Sequence, residues 1–156
     1  STLSSSSAAS DVYKRQLQNF AHAAGKQASA AERFTLGFTP ILVPMARGIL
    51  ASVSARLTDK ALGMSDAKIR QVWLDAYAGQ DFMVVLPEGV MPATANIIGS
   101  NAAHIQVAVD HNAGRLLAFA AIDNLNRGTA GQAVQSLNVA LGLPEDAGLT
   151  KIGVAP

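Results

Sequence analysis

The sequence feature that most constrains the fold is a turn between two apolar stretches. Residues 110–114 read DHNAG, and Asp, Asn and Gly are the residues that favour tight turns. Ile105, Val107 and Val109 alternate with other residues before this turn, and a second predicted strand at 115–122, apolar from Leu116 onwards, follows it. Two apolar stretches joined by such a turn predict an antiparallel β-hairpin.

Hydrophobic periodicity places the other elements around this hairpin. The further strands predicted from alternating or short apolar runs lie at residues 34–39, 49–57 (half-buried) and 82–86 (buried). The helices predicted from helical spacing lie at residues 17–31, 66–78 and 128–141. The chain of 156 residues therefore predicts one α+β domain, with a mixed, largely antiparallel sheet and helices on one face.

Capping residues and apolar stripes define two of these helices. Ser65 suits the N-cap of the helix at 66–78, and Gly79 suits its C-cap. The residues expected on its buried stripe are Ile69, Val72, Trp73, Ala76 and Tyr77. The residues that the helix at 128–141 is expected to bury are Ala130, Ala133, Val134, Leu137 and Leu141.

Composition excludes several classes of site and partner. A net charge of +1, from 12 basic and 11 acidic residues, gives no electrostatic footprint for nucleic acid. The absence of Cys excludes disulfides, thiolate zinc sites and a cysteine nucleophile within this chain. The longest apolar run, 116–122, is far shorter than the ~18 residues that suggest a membrane span. We therefore expect a cytoplasmic protein with no membrane partner.

The first sixteen residues differ in composition from the rest. Six of the first ten are Ser, and DVYKRQ follows at 11–16. A disordered native tail is one interpretation. The stretch 6–16 can also be back-translated into codons that resemble the transposase adaptor of short-read library preparation. We favour this second interpretation and expect 1–16 to be a disordered, non-native tail, with the native sequence starting at Leu17 in the middle of a domain.

Arg47 and the start of the last helix are candidate binding groups. Arg47 lies between Pro44 and Gly48, in a loop rigid enough to orient a guanidinium towards a carboxylate or phosphate. An ordinary surface cation is the alternative. At 128–132 a helix begins with two glycines, where free N–H groups suit an anion or a carboxamide. Tight packing against a neighbouring segment is the alternative there.

The remaining polar residues carry no catalytic pattern. His22, His104 and His111 have neither metal-ligand spacing nor a neighbouring nucleophile. The acidic residues at turns, for which capping is the expected role, are Asp110, Asp123, Glu145 and Asp146. We therefore expect no catalytic residue and no metal site in this chain.

Two long segments resemble one enzyme family. FTPILVPMARGI at 38–49 and AIDNLNRGTAGQAVQ at 121–135 are similar to motifs of N-acetyl-gamma-glutamyl-phosphate reductases, and LGLPE at 141–145 resembles their usual ending. The resemblance covers 17–156. It implies the fold of the C-terminal substrate and dimerisation domain of the semialdehyde dehydrogenase superfamily.

The resemblance implies the chemistry of a longer enzyme. In the family a Cys thiolate attacks N-acetylglutamyl 5-phosphate, phosphate leaves, and NADPH reduces the thioester to the semialdehyde, a step of arginine biosynthesis. The small acyl phosphate is the substrate, and NADP is bound mainly by an N-terminal Rossmann domain that has no counterpart here. The helix at 128–141 would return to that domain. The complete protein is expected to be a homo-oligomer, a dimer or tetramer, and this fragment is expected to be inactive alone.

The resemblance also assigns roles to five residues. Arg47 is expected to bind the substrate. Asn124, Gly128, Gly131 and Gln132 are expected to face the nicotinamide side of the cofactor. Two alternatives stay open: a sister semialdehyde dehydrogenase acting on aspartyl or carrier-bound aminoadipyl phosphate, and a non-catalytic binding or oligomerisation module.

Overall fold

The computed structural model describes residues 37–154. The chain divides into two compact units, residues 1–44 and residues 45–156. Residues 37–44, the described part of the first unit, contain no helix or strand, so the strand predicted at 34–39 is wrong for residues 37–39. The predicted tail, the helix at 17–31 and the beginning of that strand lie outside the described residues.

The second unit is built around a four-stranded sheet with strand order β1-β4-β3-β2. Its strands are β1 (Ile49–Arg56), β2 (Met83–Val85), β3 (Ala103–Asp110) and β4 (Arg115–Ile122). Its α-helices are α1 (Asp59–Leu62), α2 (Asp66–Ala76) and α3 (Gly131–Ala140). A 3-10 helix covers Thr94–Ile97 and a π-helix covers Asn126–Ala130.

The hairpin predicted from the turn sequence is confirmed and forms the centre of the sheet. β3 and β4 pair antiparallel, with Asp110 opposite Arg115 at the turn. The Asp110 carboxylate accepts a hydrogen bond from Ala113 N at 2.9 Å, and Gly114 has a φ of +61°. β1 joins β4 antiparallel and β2 joins β3 in parallel, so the sheet is mixed and the α+β class is confirmed.

β1 occupies the edge of the sheet and is exposed along its whole length. The prediction of a strand at 49–57 is confirmed to within one residue, but its expected half-burial is wrong. Ile49, Leu50 and Val53 are all about half exposed, with values of 48%, 56% and 56%. The alternation of apolar and polar residues is present, but no described residue covers the apolar face of this edge strand.

α2 begins as expected and buries less than expected. The Ser65 hydroxyl caps it by accepting a hydrogen bond from Lys68 N at 3.4 Å. The helix ends at Ala76, before Gly79, which adopts a φ of +74° in the following turn. Ile69 is the one buried member of the predicted stripe. The short helix therefore contacts the sheet through one end of that stripe.

α3 begins three residues later than predicted, because the π-helix precedes it. The residues that it buries are Gly131 and Asn138, not the predicted apolar face. The members of that face, all of them exposed, are Ala130, Ala133, Val134, Leu137 and Leu141. The prediction was wrong because Asn138 attaches the helix by donating hydrogen bonds to the carbonyls of Glu145 and Ala147, which leaves the apolar side facing away from residues 37–154.

A small core lies along β3 and under the C-terminal segment. Its buried apolar residues are Ile69, Phe82, Ile97, Ala102, Ala103, Ile105, Val107 and Ala121. The C-terminal segment is hydrogen-bonded beside this core, since Asn101 N donates to Thr150 O and Val154 N donates to Ile98 O. These bonds hold residues 98–101 against residues 150–154.

Candidate functional site

A fully buried carboxylate begins the segment that follows β4. Asp123 is the first residue after the strand, and its side chain has no exposed surface. Its Oδ1 atom accepts hydrogen bonds from Leu125 N at 2.9 Å and Asn126 N at 3.1 Å. Its Oδ2 atom accepts one from Gly99 N at 2.6 Å. Asp123 therefore caps the π-helix and holds the neighbouring segment through Gly99.

Arg47 forms an ion pair with this carboxylate. Its Nη2 atom lies 2.8 Å from Asp123 Oδ2, and its side chain is 32% exposed. The next residue, Gly48, donates its N–H to Asn124 Oδ1 at 2.7 Å. Gly48 has a φ of +110°, and a Cβ there would lie 2.8 Å from Thr94 Cβ, so only Gly fits. The structure thus brings Arg47 and Asn124 together through two adjacent polar contacts.

The electrostatics of Asp123 follow from its partners. Burial alone would raise the pKa of this carboxyl, because it disfavours the charged form. The backbone N–H groups of Gly99, Asn126 and Leu125, together with the Arg47 guanidinium, favour the charged form and bring the pKa below its ordinary value. Asp123 is therefore a carboxylate in the folded protein, and Arg47 keeps a charged partner.

Asn124, which is half-buried, lies beside Gly128 in this segment. A Cβ on Gly128 would lie 3.7 Å from Asn124 Cβ, and Gly128 itself is exposed. Asn124 uses Oδ1 to hold Gly48, while Nδ2 donates to no acceptor within residues 37–154. This amide nitrogen can donate a hydrogen bond to a ligand carbonyl, including that of a carboxamide.

Gly131 permits close packing against the protein itself. It is buried, and a Cβ on this residue would lie 2.3 Å from Asn101 Oδ1 and 3.0 Å from Asn126 O. Asn101 is also fully buried, and its Nδ2 atom donates to Gln135 Oε1 at 3.0 Å. Of the two interpretations of this glycine, the geometry favours tight packing.

Gln132 belongs to a separate group of polar residues. It is exposed and lines an open depression of about 310 Å³ together with Arg127, Gln135, Ser136 and Val139. The Arg127 guanidinium donates to Gln135 and lies 5.8 Å from the centre of the Phe82 ring. Burial lowers the pKa of Arg127, and Glu145 opposes this shift. Gln132 makes no hydrogen bond with the group around Asp123.

The histidines of the described region lie away from this site. His111, in the hairpin turn, places Nε2 2.6 Å from Asp66 Oδ1. His104, on β3, has a buried Nδ1 without a hydrogen-bond partner, and burial lowers its pKa. His22 lies outside the described residues. Between residues 37 and 154, no group of three or more His, Asp or Glu side chains is placed to hold a metal ion.

Asp123 is the residue whose importance the sequence did not reveal. The sequence predicts only a turn cap, and capping describes what Oδ1 does. The second role, as partner of Arg47, joins residues 76 positions apart and has no local signal. One hint was available, because an Asp-Asn pair directly follows a predicted strand within the long segment that resembles a family motif.

The packing role of Gly131 can be tested by adding one methyl group. Gly131→Ala is expected to lower stability by about 1–3 kcal/mol, because Asn101 and a backbone carbonyl must shift. Thermal unfolding of the chain would show a midpoint lower by about 2–4 °C for each kcal/mol. The matched control is Gly128→Ala, whose Cβ would meet Ile122 Cδ1 at an ordinary 3.6 Å, and which is expected to be neutral or slightly stabilising. Equal effects of the two substitutions would contradict this role.

The charge on Asp123 predicts a pH-dependent contribution to stability. Because its pKa is lower in the folded state, this contribution is present above the unfolded value of about 3.9 and is lost as the pH falls through the folded value. Asp123→Asn is expected to lower the free energy of unfolding at pH 7 by about 1.5–3 kcal/mol. Urea unfolding from about pH 7 to about pH 3 should show the two proteins converging at low pH. A constant difference would argue against a charged Asp123.

No helix within residues 37–154 is long and apolar enough to cross a membrane.

Comparison with known proteins places the chain in a family. Residues 11–124 match the semialdehyde dehydrogenase dimerisation domain. This match includes Arg47, Asp123 and Asn124, the residues that meet after β4.

The similar curated proteins carry one enzyme name. The N-acetyl-gamma-glutamyl-phosphate reductase of Bifidobacterium longum strain NCC 2705 is 79% identical over 140 residues, which are 90% of this chain and 38% of the relative. That of Bifidobacterium animalis subsp. lactis is 68% identical over 139 residues, 89% of this chain and 38% of the relative. The Streptomyces clavuligerus protein is 52% identical over 125 residues, 80% of this chain and 36% of the relative. The chain thus spans less than two fifths of these relatives, and through its dimerisation domain it belongs to the semialdehyde dehydrogenase family.

Proposed function

We propose that this chain is the C-terminal part of a cytoplasmic, NADP-dependent reductase of arginine biosynthesis. The complete enzyme would convert N-acetylglutamyl 5-phosphate to N-acetylglutamate 5-semialdehyde and phosphate. The observation that carries this proposal is the ion pair between Arg47 and Asp123, at 2.8 Å, which unites the two segments that resemble the reductase motifs. The names of the Bifidobacterium relatives support the choice of reaction.

Arg47 is the proposed substrate-binding residue. Its guanidinium contacts Asp123 through Nη2 only, and Nη1 has no acceptor within the described part of the chain. A guanidinium with unused donors suits the phosphate or the carboxylate of a small acyl phosphate. Since the side chain is about one-third exposed, a small anion can reach it without displacing Asp123.

Asn124, Gly128 and Gln132 are the proposed residues on the nicotinamide side of the cofactor. The free Nδ2 of Asn124 suits the carboxamide oxygen, and exposed Gly128 leaves room beside it. Gln132, on the exposed surface of α3, offers a further amide. Gly131 would support these residues by packing against Asn101. NADPH, bound mainly by an N-terminal domain of the complete enzyme, would supply the hydride.

The nucleophile of the reaction has to come from another part of the protein. The chain contains no Cys, and no Ser or His within residues 37–154 forms a pair that could replace a thiolate. The role that we propose for this chain is therefore to bind the substrate, to complete the cofactor site and to form subunit contacts.

We propose that a second copy of the chain packs against the exposed strand β1. The family name, dimerisation domain, and the exposed apolar residues of this edge strand support this assignment. One face of β1 is formed by Ile49, Ala51, Val53 and Ala55, and the other, which is mostly polar, by Leu50, Ser52, Ser54 and Arg56. We propose that the face with Val53 is the subunit contact of a homo-oligomer.

The activity can be tested with a complete enzyme. A chimera is made in which the aligned part of this chain replaces the 140 aligned residues of the Bifidobacterium longum strain NCC 2705 relative. With phosphate and N-acetylglutamate semialdehyde it is expected to reduce NADP, whereas the isolated 156-residue chain is expected to be inactive. Arg47→Ala is expected to raise the KM for the semialdehyde or for phosphate by tenfold or more, equal to about 1.4 kcal/mol. Arg56→Ala, which changes an exposed arginine at the end of β1, is the control.

Three results would contradict the proposal. Preference of the chimera for aspartate semialdehyde, or for a carrier-bound aminoadipate semialdehyde, would assign the chain to a sister enzyme. Activity of the isolated chain would refute its role as an incomplete part. An inactive chimera that is folded and binds NADP would favour a non-catalytic module.

The subunit contact can be tested separately. In the chimera, Val53→Lys is expected to shift the protein towards monomers, because a buried interface does not tolerate an unpaired charge. Size-exclusion chromatography with light scattering measures the mass in solution. Ser52→Lys places the same charge on the opposite face of β1 and is expected to leave the assembly unchanged. Dissociation by both variants, or by neither, would argue against the assigned face.

A further inference from the structure

We propose that Asp123 is a positioning residue for the substrate: it holds the Arg47 guanidinium where the anion binds. This inference rests on the proposed function, in which Arg47 contacts the substrate. It assigns to Asp123 a role beyond capping a helix, through its Oδ2 atom. The juxtaposition that carries it is the 2.8 Å contact between a fully buried carboxylate and a partly exposed guanidinium.

The contacts of Arg47 make its position depend on Asp123. Within residues 37–154, Asp123 is the one ion-pair partner of the guanidinium, and the buried Nε atom has no hydrogen-bond partner. Oδ2 also accepts the N–H of Gly99 at 2.6 Å, which fixes where the oxygen lies. Without the carboxylate, the long and flexible Arg47 side chain would sample several rotamers. Binding an anion would then require ordering this side chain.

The negative charge of Asp123 does not prevent Arg47 from attracting an anion. An adjacent carboxylate weakens the attraction of an arginine for anions, but Asp123 shares its charge with three backbone N–H groups. It is also completely buried, whereas Arg47 is partly exposed. The carboxylate therefore faces the protein, and an anion that arrives from solvent meets the guanidinium first.

The two oxygens of Asp123 make different contacts, so its structural role and its positioning role can be tested separately. Oδ1 caps the π-helix through Leu125 and Asn126, and Oδ2 contacts Arg47 and Gly99. Asp123→Asn keeps an acceptor for the cap and removes the charge that holds Arg47. A purely structural Asp123 would affect stability when substituted. A positioning Asp123 also changes the KM of the correctly folded enzyme.

The experiment is a double-mutant cycle in the active chimera. Asp123→Asn is expected to raise the KM for the semialdehyde or for phosphate by tenfold or more, and to leave the KM for NADP within twofold. Combined with Arg47→Ala, it is expected to add no further increase, because both substitutions remove the same contact. Asp110→Asn is the control, since this carboxylate also accepts a backbone N–H, from Ala113 in the hairpin turn.

Each outcome has a distinct meaning. If Arg47→Ala raises KM but Asp123→Asn only lowers the thermal midpoint, the positioning role is refuted and the proposed function stands. Additive effects in the double variant would also refute it. If Arg47→Ala leaves KM unchanged, Arg47 does not bind substrate, and both the proposed role of Arg47 and this inference are wrong.

A second measurement covers the case in which Asp123→Asn does not fold. In Arg47→Ala, the carboxylate of Asp123 is left without its cation. Added guanidinium ion is expected to restore part of the activity, and methylammonium ion to restore less, because only the planar ion keeps further N–H groups for the substrate anion in the plane of the one that faces Asp123. Absence of rescue by guanidinium would refute the positioning role.

Discussion

The structure after β4 depends on how one buried carboxylate is neutralised. A charge without solvent is costly unless it is paired and hydrogen-bonded, and Asp123 obtains three N–H donors and one guanidinium. These partners come from the segment before β1, the segment before β3 and the segment before α3. Satisfying a single side chain therefore brings three connections to one end of the sheet, where the proposed site lies.

The exposed apolar surfaces have a common physical explanation. An alanine-rich core of this size gives limited hydrophobic stabilisation, and β1 and α3 leave large apolar residues such as Val53 and Leu137 uncovered. We propose that these two surfaces have different partners: a second subunit would cover β1, and the nucleotide-binding domain of the complete enzyme would cover α3.

Features that depend on neighbouring residues were predicted correctly from the sequence, whereas features that depend on contacts with remote residues were not. The β3–β4 hairpin and the N-cap at Ser65 were predicted correctly, because both are decided by residues within a few positions of each other. The burial of β1 and of the apolar side of α3 was predicted wrongly, because periodicity indicates which side is apolar and not whether anything covers it. The candidate residues Arg47 and Asn124 were named from sequence, but their connection through Asp123 and Gly48 was not.

By itself the sequence determined the local elements, the absence of a thiol and the two motifs that indicate the family. Only the tertiary structure decided what Gly131 and Asp123 do. Gly131 accommodates Asn101, thirty positions earlier in the chain, and Asp123 binds an arginine 76 positions earlier. The physical reason is that a hydrogen bond or a close contact requires a distance of about 3 Å. No local pattern specifies such distances between remote residues, because they arise when the strands pair and bring the connections together.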